Sequence, residues 1–307
     1  MGTDTELQRL LARLRFRHLQ LLVTLQECRT LSATATRMNL SQSALSKMLQ
    51  EVEGAFGFAL FERMARGLAL TARGAAVVQM ATVLLNELAH ATGEIAQQRA
   101  ATIVRVGAPP FVAQAHLPGV LQRLFAQHGD CQVRVTEGGI PALFRMLMDG
   151  SVDALMTGLP AELPVSAAQR LRVERLFEFE LVVIAAADHA LVRARRVSWA
   201  RLRAERWVLQ GEASLARKVL DEMFRRAGAL PPQECIVSSN PSTNIELVAA
   251  GLGVALVPAM SLQLAASAGR VRRLKLETPI LPASVALIHR AESSPRVQML
   301  RSAVGLG

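Results

Sequence analysis

Gly74, Val77, Ala81, Leu84, Leu88, Ala91 and Ile95 recur at intervals of 3, 4, 3, 4, 3 and 4 residues. Such a/d spacing is the signature of one long helix with a single apolar seam. It predicts a helix from about Ala72 to Gln98, capped by Thr71 and slightly weakened near its end by Gly93. At 1.5 Å per residue this helix is about 40 Å long. It divides the chain into a small part, residues 1–71, a linker over 72–100, and a large part, 101–307. A free seam needs a cover. A second copy is the expected one, with Val77, Ala81, Leu84, Leu88, Ala91 and Ile95 as the dimerisation residues; packing against the chain's own core is the alternative.

Before the seam, Leu19, Leu22, Val23 and Leu31 mark one helix from about Phe16 to Arg29 and its exit. A short helix from about Ser32, its expected N-cap, to Met38 follows, with Ala33 and Ala35 leaving room for a close crossing. Asn39 and Leu40 make a tight connection, and Ser41 caps a third helix. There Leu45, Met48, Leu49 and Val52 fall at i, i+3, i+4 and i+7, one buried stripe. The opposite face carries Ser41, Gln42, Ser43, Ser46, Lys47 and Gln50. Glutamine can bond adenine bidentately, lysine can reach guanine, and serine can take base edges or phosphates. An ordinary polar helix face is the alternative reading of these residues alone.

The succession of short helix, tight turn and capped helix is the helix-turn-helix layout. Next come Ala59 to Arg63, a turn over Met64-Ala65-Arg66-Gly67, and Leu68 to Leu70, which read as a hairpin. Arg63 and Arg66 at its tip make a basic wing suited to phosphates or the minor groove. Charge agrees: the chain's formal charge is +10, and Arg9 to Arg73 holds ten basic against four acidic residues.

From Phe16 to Gly74 the sequence resembles the DNA-binding domain of the LysR-type transcriptional regulators. The likeness rests on Leu40-Ser41-Gln42-Ser43-Ala44-Leu45-Ser46, Leu60-Phe61-Glu62-Arg63, Arg66-Gly67 and Leu70-Thr71-x-x-Gly74. It continues over essentially the whole chain. Thr34 departs from the usual small alanine, and its hydroxyl can bond back to the helix backbone. The resemblance implies sequence-specific binding to promoter DNA; the mechanism expected is a homodimer paired through the seam, a homotetramer through the effector lobes being the alternative assembly, with RNA polymerase as a further contact.

Beyond the linker, strand Ile103 to Gly107, helix Ala113 to His128, strand Gln132 to Thr136, helix Pro141 to Met148 and strand Ala154 to Thr157 alternate. That order predicts an α/β lobe with a parallel sheet. A second such series begins near Leu181 and runs to Val257, and the chain returns through strands near Val271 to Leu276 and Val285 to Ile288. The fold expected is therefore α+β multidomain: an N-terminal winged helix-turn-helix, a long linker helix and a two-lobed α/β domain. Lobe I is expected over about 101–162 and 268–307, lobe II over about 163–267. Gly251-x-Gly253 follows a helix and precedes a strand, so it is no dinucleotide fingerprint.

Glu246 to Pro258 matches the family's helix–glycine–strand turn, and the resemblance implies a fold like periplasmic solute-binding proteins, with a small-molecule effector held between the lobes. Ligands in such sheets sit at strand C-termini and helix N-termini. By position the effector cleft is expected to be lined by Pro109, Pro110 and Phe111, by Gly138, Gly139 and Ile140, and by Gln210, Gly211, Ser214, Ser239 and Asn240. Relatives place Ser or Thr after the first strand and near Gly139. Proline and glycine stand there instead, removing two side-chain donors. Arg217 is a candidate charge partner for the effector, a surface salt bridge being the alternative.

No Gly-x-Ser-x-Gly elbow, phosphate loop or His-x-x-x-His pair occurs, and the six histidines are scattered, so no enzyme, cofactor or metal site is expected. Cys28, Cys131 and Cys235 lie far apart and read as reduced, small hydrophobes. No apolar run reaches a membrane span and no signal-peptide pattern is visible, which points to the cytoplasm and to no membrane partner. A constitutive or architectural DNA binder whose C-terminal lobes only oligomerise is the competing reading.

Overall fold

The computed structural model describes residues 8, 10–65, 67–96, 102–159, 170–212, 214–233, 235–264, 268–291 and 294–306. The chain forms two compact units, residues 1–100 with Met148–Ser151, and residues 101–147 with 152–307.

In the first unit helices α1 (Phe16–Cys28), α2 (Leu31–Arg37) and α3 (Gln42–Phe56) precede strands β1 (Phe61–Met64) and β2 (Gly67–Leu70) and the long helix α4 (Ala72–Ala96). α1 ends at Arg29 in the left-handed region, φ 59°. That reversal leaves Thr30 extended, and its Oγ1 accepts from Ala33 N at 3.3 Å. Thr30, not Ser32, therefore caps α2. Leu21, Leu22 and Leu25 of α1, Leu45 and Val52 of α3, and Leu60 are fully buried together. Thr34, also fully buried, donates to Thr30 O at 2.7 Å, which satisfies its hydroxyl inside this core.

The seam on α4 is split. Val77, Val78 and Ala81 complete the core of this same unit, so Val77 and Ala81 are not open to a partner as an uninterrupted seam requires. Leu84 and Leu88 are 46% and 42% exposed, and Ala91 is half-buried. The Ile95 side chain lies outside the described residues. The cause is the entry of α4. Thr71 Oγ1 accepts from Gly74 N at 2.9 Å and donates to Ala59 O at 3.0 Å, turning the helix back onto the bundle. A Cβ on Gly74 would stand 1.9 Å from Leu60 O, so only glycine permits the approach.

In the second unit, lobe I is a five-stranded sheet in the order β4-β3-β5-β12-β6. Its strands are β3 (Ile103–Ala108), β4 (Gln132–Glu137), β5 (Ala154–Gly158), β6 (Leu171–Phe179) and β12 (Ala283–Arg290). β3 runs parallel to β4 and β5, whereas β12 is antiparallel to β5 and β6. Helices α5 (Pro110–Gln127), α6 (Ile140–Asp149) and α11 (Pro295–Ala303) accompany it, α5 packing on α11.

Lobe II centres on β7 (Leu181–Ala186), flanked by β10 (Ala255–Pro258) and β11 (Val271–Arg273). Both neighbours are antiparallel to β7, so the expected second parallel series is corrected at its centre. A parallel pair, β8 (Val208–Leu209) with β9 (Ile236–Val237), completes the strands. Helices α7 (Trp199–Leu202), α8 (Leu215–Arg226), α9 (Pro241–Ala249) and α10 (Ala259–Leu264) surround them. Trp199 and Trp207 meet Phe224 edge-on, with centroids 5.2 and 5.8 Å away.

The lobe boundaries also shift. Leu171–Phe179, expected in lobe II, pairs along β12 and belongs to lobe I, while Val271–Arg273, expected in lobe I, pairs with β7. The chain thus crosses between lobes at Glu180, and again between β11 and β12. The partner of Leu171 is Arg290, over a hundred residues later, and no local pattern reveals such a pairing.

Candidate DNA interface and effector cleft

Ser41 caps α3, its Oγ accepting from Ala44 N at 3.2 Å and lying 3.1 Å from Ser43 Oγ. Because Leu45, Leu49 and Val52 turn inward, Gln42, Ser43, Lys47 and Gln50 are exposed on the other side and Ser46 is half-exposed. The expected reading residues therefore share one helix face, led by the partial positive charge of an N-terminus. In the wing, Met64 pairs with Gly67 and Arg63 with Leu68, placing the exposed Arg63 on the strand rather than at the turn. Arg66 lies outside the described residues.

Sequence reasoning missed what fixes this wing. Glu53 on α3 accepts from Leu60 N at 2.7 Å and from Phe61 N at 3.2 Å, tying α3 to β1. Leu68 N donates to Arg29 O at 2.8 Å, tying β2 to the α1–α2 turn. A glutamate on a helix reads as solvated unless the fold of the next segment is known.

In the second unit one cavity of about 420 Å³ collects Pro109, Pro110, Phe111, Gly138, Gly139, Ile140, Gln210, Gly211, Ser214, Ser239 and Asn240. Phe179, Leu181 and Pro258, near the crossing, and Pro141, Gly158, Leu215, Ala216, Pro241 and Glu212 complete its walls. Four helices begin at this cavity, α5 at Pro110, α6 at Ile140, α8 at Leu215 and α9 at Pro241. Their N-termini give the space a positive potential.

Yet its polar side chains are few and partly committed. Ser214 Oγ accepts from Arg217 N at 3.1 Å and Asn240 Oδ1 from Ser242 N at 2.9 Å, each as an N-cap. Pro110, Pro141 and Pro241 have no N–H to offer. Phe111 and Phe179 form a tilted pair 5.6 Å apart. Among the described residues no lysine or arginine lines the space, and Glu212 is the one charged side chain. Arg217 is buried on α8 with Nε 3.0 Å from Asp221 Oδ1, the salt-bridge alternative, and is not among the residues that line the cavity.

At the far edge of this lobe the Gly251 turn behaves as its motif implies. Gly253 has φ 148°, and a Cβ there would lie 2.5 Å from Arg206 O. Val254 N donates to that same carbonyl at 2.8 Å, launching β10 toward Pro258 at the cavity.

A winged helix-turn-helix, a long helix and a two-lobed cleft domain together define a ligand-responsive DNA-binding regulator. Comparison with known proteins gives the family. The model "Bacterial regulatory helix-turn-helix protein, lysR family" matches residues 16–75, and "LysR substrate binding domain" matches residues 97–305. The HTH-type transcriptional regulator GalR of Pseudomonas putida is 30% identical over 277 residues, 90% of this chain and 69% of that protein. GbpR of Azospirillum brasilense is 30% identical over 241 residues, 78% of this chain and 70% of that protein. A solved full-length OxyR variant from Pseudomonas aeruginosa superposes with a TM-score of 0.61 at 25% identity, covering 95% of both chains. The chain belongs to the LysR family of transcriptional regulators, DNA-binding proteins modulated through an effector-binding domain. Among the described residues no helix is long and apolar enough to cross a membrane.

Proposed function

We propose that this regulator reads promoter DNA with Ser41, Gln42, Ser43, Ser46, Lys47 and Gln50, and steadies the duplex with Arg63 and Arg66. A compact, mostly apolar effector with one small polar or anionic head occupies the cleft, its body against Phe111, Phe179 and Leu181. Its head meets Gln210, Ser239 and the helix N-termini. The protein acts in the cytoplasm without catalysing a reaction and without cofactor or metal. It works as a dimer through Leu84, Leu88, Ala91 and Ile95, pairs of dimers form a tetramer, and effector entry shifts its quaternary arrangement and its contact with RNA polymerase.

The observation that supports this reading best is the meeting of four helix N-termini around one apolar cavity in a chain that also presents an exposed polar helix face. Fluorescence anisotropy on DNA from upstream of its own gene, against a scrambled duplex across a salt series, tests the first half. Specific binding tighter by about 10³ is expected; equal, steeply salt-dependent affinities for both duplexes would overturn it. A thermal-shift screen of small aromatic and aliphatic acids tests the second, since an effector stabilises the fold by mass action. No shift with any of them would favour lobes that serve oligomerisation alone.

A further inference from the structure

Lobe II carries a basic surface outside the cleft. Between the short helical turn Ala190–Arg193 and β8, Arg193, Arg195, Arg196, Arg201, Arg203 and Arg206 are all exposed. The exposed Lys275 joins them across the fold, because Val197 N donates to its carbonyl at 2.7 Å. Glu205, the one acid between Arg193 and Arg206, is half-buried and stands 3.4 Å from His189 Nε2. Asp188 and Glu277 lie at the margins.

The backbone beneath these side chains is pinned. Leu191, Val197, Trp199, Leu202 and Trp207 are buried and interleave with the arginines along the chain. Ser198 caps α7 by accepting from Arg201 N at 3.3 Å, and Trp207 Nε1 donates to Leu202 O at 2.9 Å. Arg206 O accepts from Val254 N at 2.8 Å. The guanidiniums therefore project from a fixed base, and only side-chain entropy opposes their capture. What they lack is a partner. Elsewhere in this unit Arg217, Arg225, Arg270, Arg273 and Arg301 each pair with a carboxylate. Among the described residues none of the six arginines, nor Lys275, has an ion pair or a side-chain hydrogen bond. Like charges gathered in this way repel one another, and a polyanion relieves that repulsion.

The composition of the surface selects the occupant. A protein partner needs an apolar centre from which charge is depleted. Between Arg193 and Arg206 no large apolar side chain is exposed, and the exposed gaps hold only Ala200 and Ala204. A phosphate backbone asks for the reverse, a run of guanidinium forks without a shaped pocket. We propose that the arginine surface of lobe II holds the phosphate backbone of duplex DNA, so that the regulator grips DNA with both of its units. The contact adds affinity and salt dependence but no base preference.

The test uses the full chain and a random-sequence duplex of about 60 base pairs, several helical turns longer than a pair of adjacent half-sites. Combining Arg195→Gln, Arg196→Gln, Arg201→Gln and Arg203→Gln should weaken binding about tenfold or more at about 0.1 M salt and flatten the salt slope by about 2–3. A control combining Arg170→Gln, Arg172→Gln, Arg225→Gln and Arg226→Gln has the same net charge and should bind as the wild type does. A benzophenone-bearing residue in place of the exposed Ala204 should crosslink to the duplex. That readout keeps every arginine, so it stands even if a fourfold variant folds poorly. Equal losses in the two variants would mean general charge attraction and overturn the proposal. So would an unchanged salt slope in the first variant, or a duplex that fails to crosslink at Ala204. Loss of activated transcription with DNA binding intact would also overturn it, and would put an acidic protein segment on this surface instead.

Discussion

Helix α3 and the cleft both present helix N-termini, and they surround them with different side chains. At α3 the first two turns leave Gln42, Ser43 and Lys47 exposed around the Ser41 cap, a solvent-facing set of donors and acceptors. At the cleft the caps Ser214 and Asn240 are engaged inward, and prolines stand at the starts of α5, α6 and α9. In the proposed function the same backbone dipole serves polar base edges in one unit and the head of an apolar molecule in the other. Side-chain choice in the first turn, not helix geometry, sets what each end can bind.

The largest effect that would break this contrast lies at Gly74. Gly74→Val cannot keep α4 against Leu60, and about 3 kcal/mol or more should be lost from the first unit alone. Calorimetry should show one transition falling while the effector unit's transition holds; two transitions falling together would mean the units do not melt separately.

Gln42→Ala should cost about 1–3 kcal/mol on the specific duplex and relax base preference there. Binding-site selection that returns an unchanged motif would count against a reading role. Glu53→Gln should weaken DNA binding through the wing by about 1–2 kcal/mol, because a neutral amide accepts less strongly from the Leu60 and Phe61 N–H groups. Hydrogen exchange at those two amides reads this directly. Pro141→Ala adds an N–H at the start of α6 and should tighten an anionic effector by about 0.5–1.5 kcal/mol, leaving a neutral analogue alone.

The smallest effect is a pH slope. Burial lowers the His18 imidazole, with Glu51 opposing and Arg15 adding to the shift. A histidine lowered in the folded state contributes stability that is complete above its unfolded value of 6.5 and lost as pH falls below it. The first unit should therefore melt earlier at pH 5.5 than at 7.5, and His18→Asn should flatten that slope.

Much of this was readable because local chemistry carried it. The Ser41 cap, the Leu45–Leu49–Val52 stripe and the helix starts at the cleft are set by residues within a turn of one another. What stayed hidden depends on distant partners. β6 has no meaning until β12 arrives, and Phe179 and Leu181 line the cavity only because Glu180 is where the chain crosses between lobes. The Glu53 clamp is likewise invisible without the hairpin. Heptad spacing could not say which cover each position takes: Val77 and Ala81 obey the pattern as fully as Leu84 and Leu88, and only docking against α1 separates them.

That split seam matters to anyone exchanging parts between relatives. A graft cut at Thr71, where the wing ends, would strip Val77, Val78 and Ala81 from beneath Leu21, Leu22 and Leu25 and expose the floor of the reading head. The natural suture lies beyond Ala81. A chimaera joined there carries its DNA specificity as a closed piece and takes its pairing surface from the recipient.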